Sequence, residues 1–428
     1  MNKSLLLKLS RFFLYLVPFN ILIVTRSTLF PFTVGRYVFF RVVVELALVF
    51  FIWAWARGET DIKLIFSPLV KAVYIFALIY SLVGFFGFNL SASFWSNFER
   101  GEGGLQMLHL FIFFILLVLL FKDEKSWSKM LVIVAVTAIL MIAYGLGAAL
   151  GVPFFIGRNL CARFTGSFGN SVYAGIHMVF ALFFTAILLN EENDKYKKWL
   201  KCLLRILLAV FVIILLLSQT RAALLAFAAA VIGGLFYLFF HLPNRRMRTI
   251  ILTTILVLVI LGGLGVKFRG SINLLPFCKK GSSRILDMDV GTWTFRVRLL
   301  LWRQAVEIFK ERPILGWGPE NFQPAFEKHY LTFFDYWYDR APKTVLDYLT
   351  QAGILGLLSY SGIFAVFYWQ FFRKQQIAVN SRKALIENTL FFAFPIAYLV
   401  QGVFHFEALP IYISLFLFLA FVNYKFSK

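Results

Sequence analysis

LLAVFVIILLL (residues 207–217) and TIILTTILVLVILGGLGV (249–266) contain no ionisable side chain. The second stretch approaches the roughly 20 apolar residues that cross a bilayer. Hydrocarbon offers no water to peptide groups, so only helices and closed barrels span it. The runs are continuous rather than alternating with period two, which selects helices. The rest of the chain agrees. Hydrophobic residues make up 60% of it and charged residues 15%, whereas soluble chains average about 45–50% and about 25%.

Twelve spans follow from these runs, at 12–25, 37–56, 69–88, 105–121, 129–150, 172–190, 203–218, 222–240, 249–267, 345–371, 387–404 and 409–424. The fold class is all-α, a polytopic membrane helix bundle. The formal charge of +22 suggests a nucleic-acid partner until its distribution is read, because the basic residues sit in short clusters between apolar runs. Twenty-three fall on one side, among them Arg57, Lys122, Lys201, Arg245 and Arg382, and six in the short loops opposite. The richer side is cytoplasmic by the positive-inside rule, so both termini lie inside and no nucleic-acid partner is expected. The first apolar run lacks a small-residue cleavage site and reads as part of the fold. Cys161, Cys202 and Cys278 are too few for a disulfide framework, although Cys161 and Cys278 share the outer side, which allows one bridge.

Three regions result: nine spans in 1–267, a long extracytoplasmic loop at 268–344, and three spans in 345–428. So long a loop without structure is unusual, so it is expected to hold helices of its own. RVRLLLWRQAVEIFKERP (296–313) places Val297, Leu300, Leu301, Ala305 and Ile308 on one face and ends at Pro313. It reads as an amphipathic helix, expected along the outer membrane interface.

Arg221, at the start of a span, is either a snorkelling anchor or an anion-binding group facing the bundle. Arg163 stands in a turn with Gly166, Gly169 and Asn170, whose backbone suits either a phosphate cradle or an ordinary helix cap. Arg296 and Arg298 open the amphipathic helix and point to different sides of it. Trp317 and Trp337 are candidate sugar platforms, and a tryptophan at this level also serves as an interfacial anchor. The five histidines form no metal-ligand pattern, and no HExxH, CxxC, Walker or GxGxxG motif occurs. No metal or cofactor is therefore expected.

RVRLLLWRQAVEIFKERPILGWGPENFQPAF (296–326) resembles the hallmark of the O-antigen ligase and O-antigen polymerase superfamily, an Arg…Trp helix before a Pro-Ile/Leu-Leu-Gly-x-Gly turn. DRAPKTVLDYLTQAGILGLLSY (339–360) resembles that family's loop-to-helix junction. SFWSNFERGEGGLQMLH (93–109), SFGNSVYAG (167–175) and SQTRAAL (218–224) look like its upstream segments. The resemblance implies a metal-independent glycosyltransferase of the bacterial inner membrane. It would move a glycan from an undecaprenyl-diphosphate carrier to a saccharide or lipid-linked acceptor at the outer face. Displacing the lipid diphosphate builds negative charge, which fixed guanidinium forks stabilise. Arg163, Arg221, Arg296, Arg298 and Arg100 are the candidates for that role.

At the junction the chain departs from the family. Ala341-Pro342-Lys343 stands where Ala-His-Asn is usual, and proline accepts no proton. A relocated base would be His329, with Glu320, Asp339 and Lys343 behind it. The alternatives are a lipid-linked saccharide flippase and a catalytically impaired glycan-binding relative.

Overall fold

A computed structural model describes residues 5–60, 66–97, 99–157, 163–191, 198–242, 244–267, 293–329, 338–378 and 381–427. Among these the secondary structure is helical. The elements are α1 (Leu5–Leu16), α2 (Val34–Ala56), α3 (Pro68–Phe85), α4 (Leu90–Trp95), α5 (Gly104–Leu120), α6 (Glu124–Ala149), α7 (Ser171–Glu191) and α8 (Lys198–Leu217). They continue with α9 (Arg221–His241), α10 (Arg245–Lys267), α11 (Trp293–Glu311), α12 (Phe322–Lys328), α13 (Thr344–Ala378), α14 (Arg382–Gly402) and α15 (Leu409–Phe426).

Ten helices among the described residues are long and apolar enough to cross a membrane. The expected span at 105–121 is α5, a helix of only 17 residues. The span expected at 12–25 starts earlier, at Leu5, and tightens into a 3-10 helix over Val17–Leu22. Pro18 stands at its start, and proline has no N–H to continue the α-helical ladder. Sequence logic also sets other starts. Ser67 caps α3 by accepting from Val70 N before Pro68, and Asn89 caps α4 by accepting from Ala92 N.

The chain divides into two compact units. The first holds Met1–Trp127, Val290–Gln370 and Gly402–Lys428, and the second Ser128–Asp289 and Phe371–Gln401. Within the first unit α15 is buried on every side from Leu409 to Asn423 apart from Pro410, as a helix apolar all round should be. Phe416 of α15 meets Phe111 and Phe114 of α5, with ring centroids 5.8 and 6.0 Å apart. Phe76 of α3 contacts Phe111, Tyr348 and Tyr360. In the second unit α7 is similarly buried and packs on α8 and α9, while Phe180 stacks on Phe394 and Tyr398 of α14.

The long loop holds helices, as expected. In α11 the faces read from sequence recur: Leu301, Ala305 and Ile308 are buried, and Val297 and Leu300 half-buried. Their partners belong to the chain itself. The apolar face packs on Trp317, Phe322, Ala325, Phe326 and Ala341, so the protein itself covers it. The proposed Cys161–Cys278 bridge, Trp337, and the aromatics at 330 and 333–336 lie outside the described residues.

The turn after α11 locks into a break in α13. Gly353 has φ 62° and ψ −165°, interrupting that helix and orphaning backbone groups on both sides. Inside an apolar bundle such groups need partners. The turn supplies them. Trp317 N donates to Thr350 O and Gly318 N to Gln351 O, each at 2.8 Å, while Ile354 N donates to Pro313 O at 2.9 Å. Gly316, at φ 69°, lies so close that a Cβ there would stand 2.6 Å from the backbone of Gln351 and Gly353.

Candidate functional site

The locked turn delivers Glu320 to the interior of the first unit. Arg340, 5% exposed, meets three carboxylates there. It grips Asp347 with Nε and Nη2, at 3.0 and 2.7 Å from Oδ2, and donates through Nη1 to Glu320 Oε1 at 2.5 Å. Glu102 Oε2 stands 3.7 Å from Nη1, beyond hydrogen-bond reach. Gln351 ties the group together, donating to Asp347 Oδ1 at 2.6 Å and accepting from Glu320 N at 2.8 Å. Ser96 Oγ donates to the other Glu320 oxygen at 2.7 Å.

The segment 96–103, between α4 and α5, is held from α2. Arg41 donates to Gly101 O at 2.5 Å and to Gln106 Oε1 at 2.9 Å. That clamp positions Glu102, whose Oε1 accepts from Leu409 N at 2.7 Å and whose buried Oε2 has no hydrogen-bond partner. Burial pushes the Glu102 carboxyl up to about 7, against the opposing pull of Arg340 and Arg100. Arg340 rises well above its ordinary value: burial disfavours its charge, and Asp347, Glu320 and Glu102 outweigh that.

Above this charged floor the turn between α14 and α15 carries His405, half-buried. Thr344 Oγ1 donates to His405 O at 2.9 Å, fixing that turn to the start of α13. His405 Nδ1 lies 2.8 Å from Phe406 O, a carbonyl that accepts only from a protonated nitrogen. Burial pushes the imidazole down to about 4, and the charges of Arg298, Arg100 and Arg340 push the same way. The Arg100 and Arg340 guanidiniums lie 4.8 and 5.4 Å from the centre of the Phe406 ring. Arg100 also makes a two-pronged ion pair with Asp339, each side chain a little under one-fifth exposed. Glu407 is buried, accepting from Tyr360 OH at 2.5 Å and Tyr348 OH at 3.1 Å.

The structure thus brings Arg100, Asp339 and Glu320 into one neighbourhood and adds Arg340, Glu102 and the His405–Phe406 turn. Arg296 and Arg298 are exposed on α11. His329 Nε2 lies 2.7 Å from Glu311 Oε1, and Lys328 pairs with the other oxygen of that carboxylate. Lys343 lies over the Trp302 ring at 5.1 Å. Trp317, read as a candidate sugar platform, is 5% exposed and donates to Ile308 O, which makes it a packing residue of the locked turn.

Arg163 and Arg221 belong to the second unit, where they come to one edge. Arg163, at φ 100°, donates through Nη2 to Thr220 Oγ1 at 3.2 Å, beside half-buried Arg221. Phe164 N donates to Leu217 O, pinning the 163–170 turn to the α8–α9 corner. Asn170 accepts from Val172 N and so caps α7.

Residues 206–361 match the family model for O-antigen ligase (Wzy_C). The matched stretch runs from α8 into α13 and includes α11 and the locked turn. Over those 156 of its 428 residues the chain is similar to the O-antigen ligase family. No curated protein matches it.

Proposed function

We propose that this chain is an O-antigen ligase- or polymerase-type glycosyltransferase. It moves a glycan from an undecaprenyl-diphosphate carrier to a saccharide hydroxyl at the outer face of the inner membrane, without a metal. The carrying observation is the approach of the Arg100 and Arg340 guanidiniums to one aromatic ring, Phe406, at 4.8 and 5.4 Å in the first unit. Guanidiniums suit a diphosphate leaving group because they stay charged and present planar donor forks. The Arg163 and Arg221 edge of the second unit offers a further anion-binding surface. The twelve-span topology belongs to this reading, with both termini cytoplasmic and 268–344 outside, as does the split into 1–267, 268–344 and 345–428.

The test uses purified protein, undecaprenyl-diphosphate-linked oligosaccharide and saccharide acceptors, comparing wild type with Arg221→Ala and Arg298→Ala. Each variant is expected to lose about 100-fold in transfer, the scale for removing one group that stabilises developing charge. Unchanged turnover in either removes that arginine from the donor site. Lipid scrambling in liposomes without transfer to any acceptor would make the protein a flippase.

A further inference from the structure

We infer that the second unit carries a docking groove for an anionic glycerophospholipid, an assignment independent of the transfer reading above. The groove lies between α7, α8, α9 and α14 and has a volume of about 340 Å³. Buried Phe183, Ala230 and Ala393 line its inner wall, and half-buried Leu208, Val231 and Leu390 its rim. Protein closes it from behind: Phe183 meets Phe394 with ring centroids 5.5 Å apart, joining α7 to α14. At Gly234 α9 comes so near α14 that a Cβ would stand 3.2 Å from Thr389. Thr389 is the one lining residue with a side-chain polar atom, and its hydroxyl donates to Leu385 O. Such a lining suits a hydrocarbon chain and offers nothing to a sugar.

Charge selects the headgroup. Arg205 precedes Leu208 by three residues on α8, and Arg382 precedes Thr389 by seven on α14. Both spacings return to one helix face, so each exposed arginine continues a groove wall, by roughly one turn and two turns. Helix termini gather at this end of the unit. Asn190 of α7 donates to Lys383 O of α14 at 2.9 Å, and Arg248 of α10 donates to Leu242 O, just past α9, at 2.6 Å. Tyr237, one turn from the end of α9, has its ring centroid 5.3 Å from that of Phe392 of α14. Exposed Lys198, Arg245, Arg246 and Lys383 stand at these termini, with Glu191 and Glu387 as the half-buried acids among their described residues. A phosphate beyond the groove therefore meets an excess of cations, two of them guanidinium forks suited to it.

The position of that headgroup separates this lipid from a polyprenyl carrier. Arg221, with Arg163 beside it, opens α9 at the opposite end, about 25 Å from Leu238 at 1.5 Å per residue. A diphosphate held by those two arginines leaves the Arg205 and Arg382 end without an anion. A phospholipid with one net negative charge supplies it, laying an acyl chain in the groove from that same end.

The experiment titrates full-length protein in detergent with dioleoyl phosphatidylglycerol or dioleoyl phosphatidylcholine and counts bound lipid by native mass spectrometry. For the first lipid bound, wild type is expected to prefer phosphatidylglycerol by about tenfold or more, the scale for two basic side chains at an anionic headgroup. Arg205→Gln combined with Arg382→Gln should bring the two lipids within about twofold of each other on the same scale. Ala186→Phe fills the groove and should weaken binding of both lipids alike, and Val231→Phe repeats that arm if the first variant does not fold. Equal affinity of wild type for the two lipids overturns the proposal, as does a preference that survives in the double arginine variant. Binding unchanged by a folded groove-filling variant overturns it too. Displacement of phosphatidylglycerol by equimolar undecaprenyl phosphate would give the groove to a carrier. A dimer that Ala186→Phe splits into monomers would give it to a second copy of the chain, and either result removes the phospholipid.

Discussion

Arg340 faces three carboxylates, and that imbalance makes the charged floor sensitive to pH. The Glu102 carboxyl titrates near 4.5 when exposed and near 7 in the fold. Between those values the folded protein holds a proton that the unfolded chain has released. Stability therefore falls as pH rises from about 4.5 to 7 and stays reduced above. Glu102→Gln removes the burdened charge and keeps an acceptor for Leu409 N. The variant is expected to be more stable than wild type above pH 7, by up to about 3 kcal/mol, with the gain shrinking towards pH 5. Thermal unfolding in detergent across that range checks it, and an unchanged pH dependence would contradict the assignment. Removing the cation has the opposite sign. Arg340→Met strands the buried carboxylates and should cost about 3–5 kcal/mol, measured the same way. Little of this was legible in the sequence, because Glu102 comes from a stretch far from Glu320, Arg340 and Asp347, and no spacing marks the three acids as sharing one arginine. The available hint was Asp347, an acid only three residues into a span, where an ionisable group signals a partner or a function.

The turn at 313–321 and the break at Gly353 form one device built from two motifs that looked separate in the sequence. Each was read correctly as a family-like string, and the faces of α11 followed from spacing alone. What periodicity could not supply was the fit between them, since hydrogen bonds from a turn to a broken helix leave no repeat to detect. The same gap explains why α11 was expected on the membrane surface. An amphipathic pattern states that one face is covered, not by what. Gly316→Ala places a methyl against the Gln351–Gly353 backbone in a left-handed conformation, and helix backbone has nowhere to move. It should prevent Glu320 from reaching Arg340 and lower the yield of monodisperse protein several-fold, as size-exclusion chromatography would report. Ile308→Ala, within the protein-covered face, is expected to cost about 2–5 kcal/mol. A residue facing lipid or headgroups would cost far less, so unfolding of this variant distinguishes the two placements.

Each unit is organised around a helix buried on nearly every side, α15 in one and α7 in the other, and neither centre is marked by polarity in the sequence. Both look like any other apolar span, because composition reports that a helix is surrounded without distinguishing protein from lipid. The sidedness of the chain comes instead from its charges. If the basic clusters at 195–205, 245–248 and 373–383 set orientation, then α11 and its exposed Glu307 face outward and Arg246 faces the cytoplasm. Single cysteines can separate these outcomes in a background with Cys161, Cys202 and Cys278 replaced by serine. In cells with a permeable outer envelope, Glu307→Cys should react with a membrane-impermeant maleimide. Arg246→Cys should react only after the inner membrane is opened, since both side chains are solvent-exposed in the fold and only the bilayer can distinguish them. The reverse pattern would put α11 on the cytoplasmic side, and Arg298 with it. Lipid-linked glycan at the outer face would then be out of reach, and the proposed transfer reaction would fail with the topology.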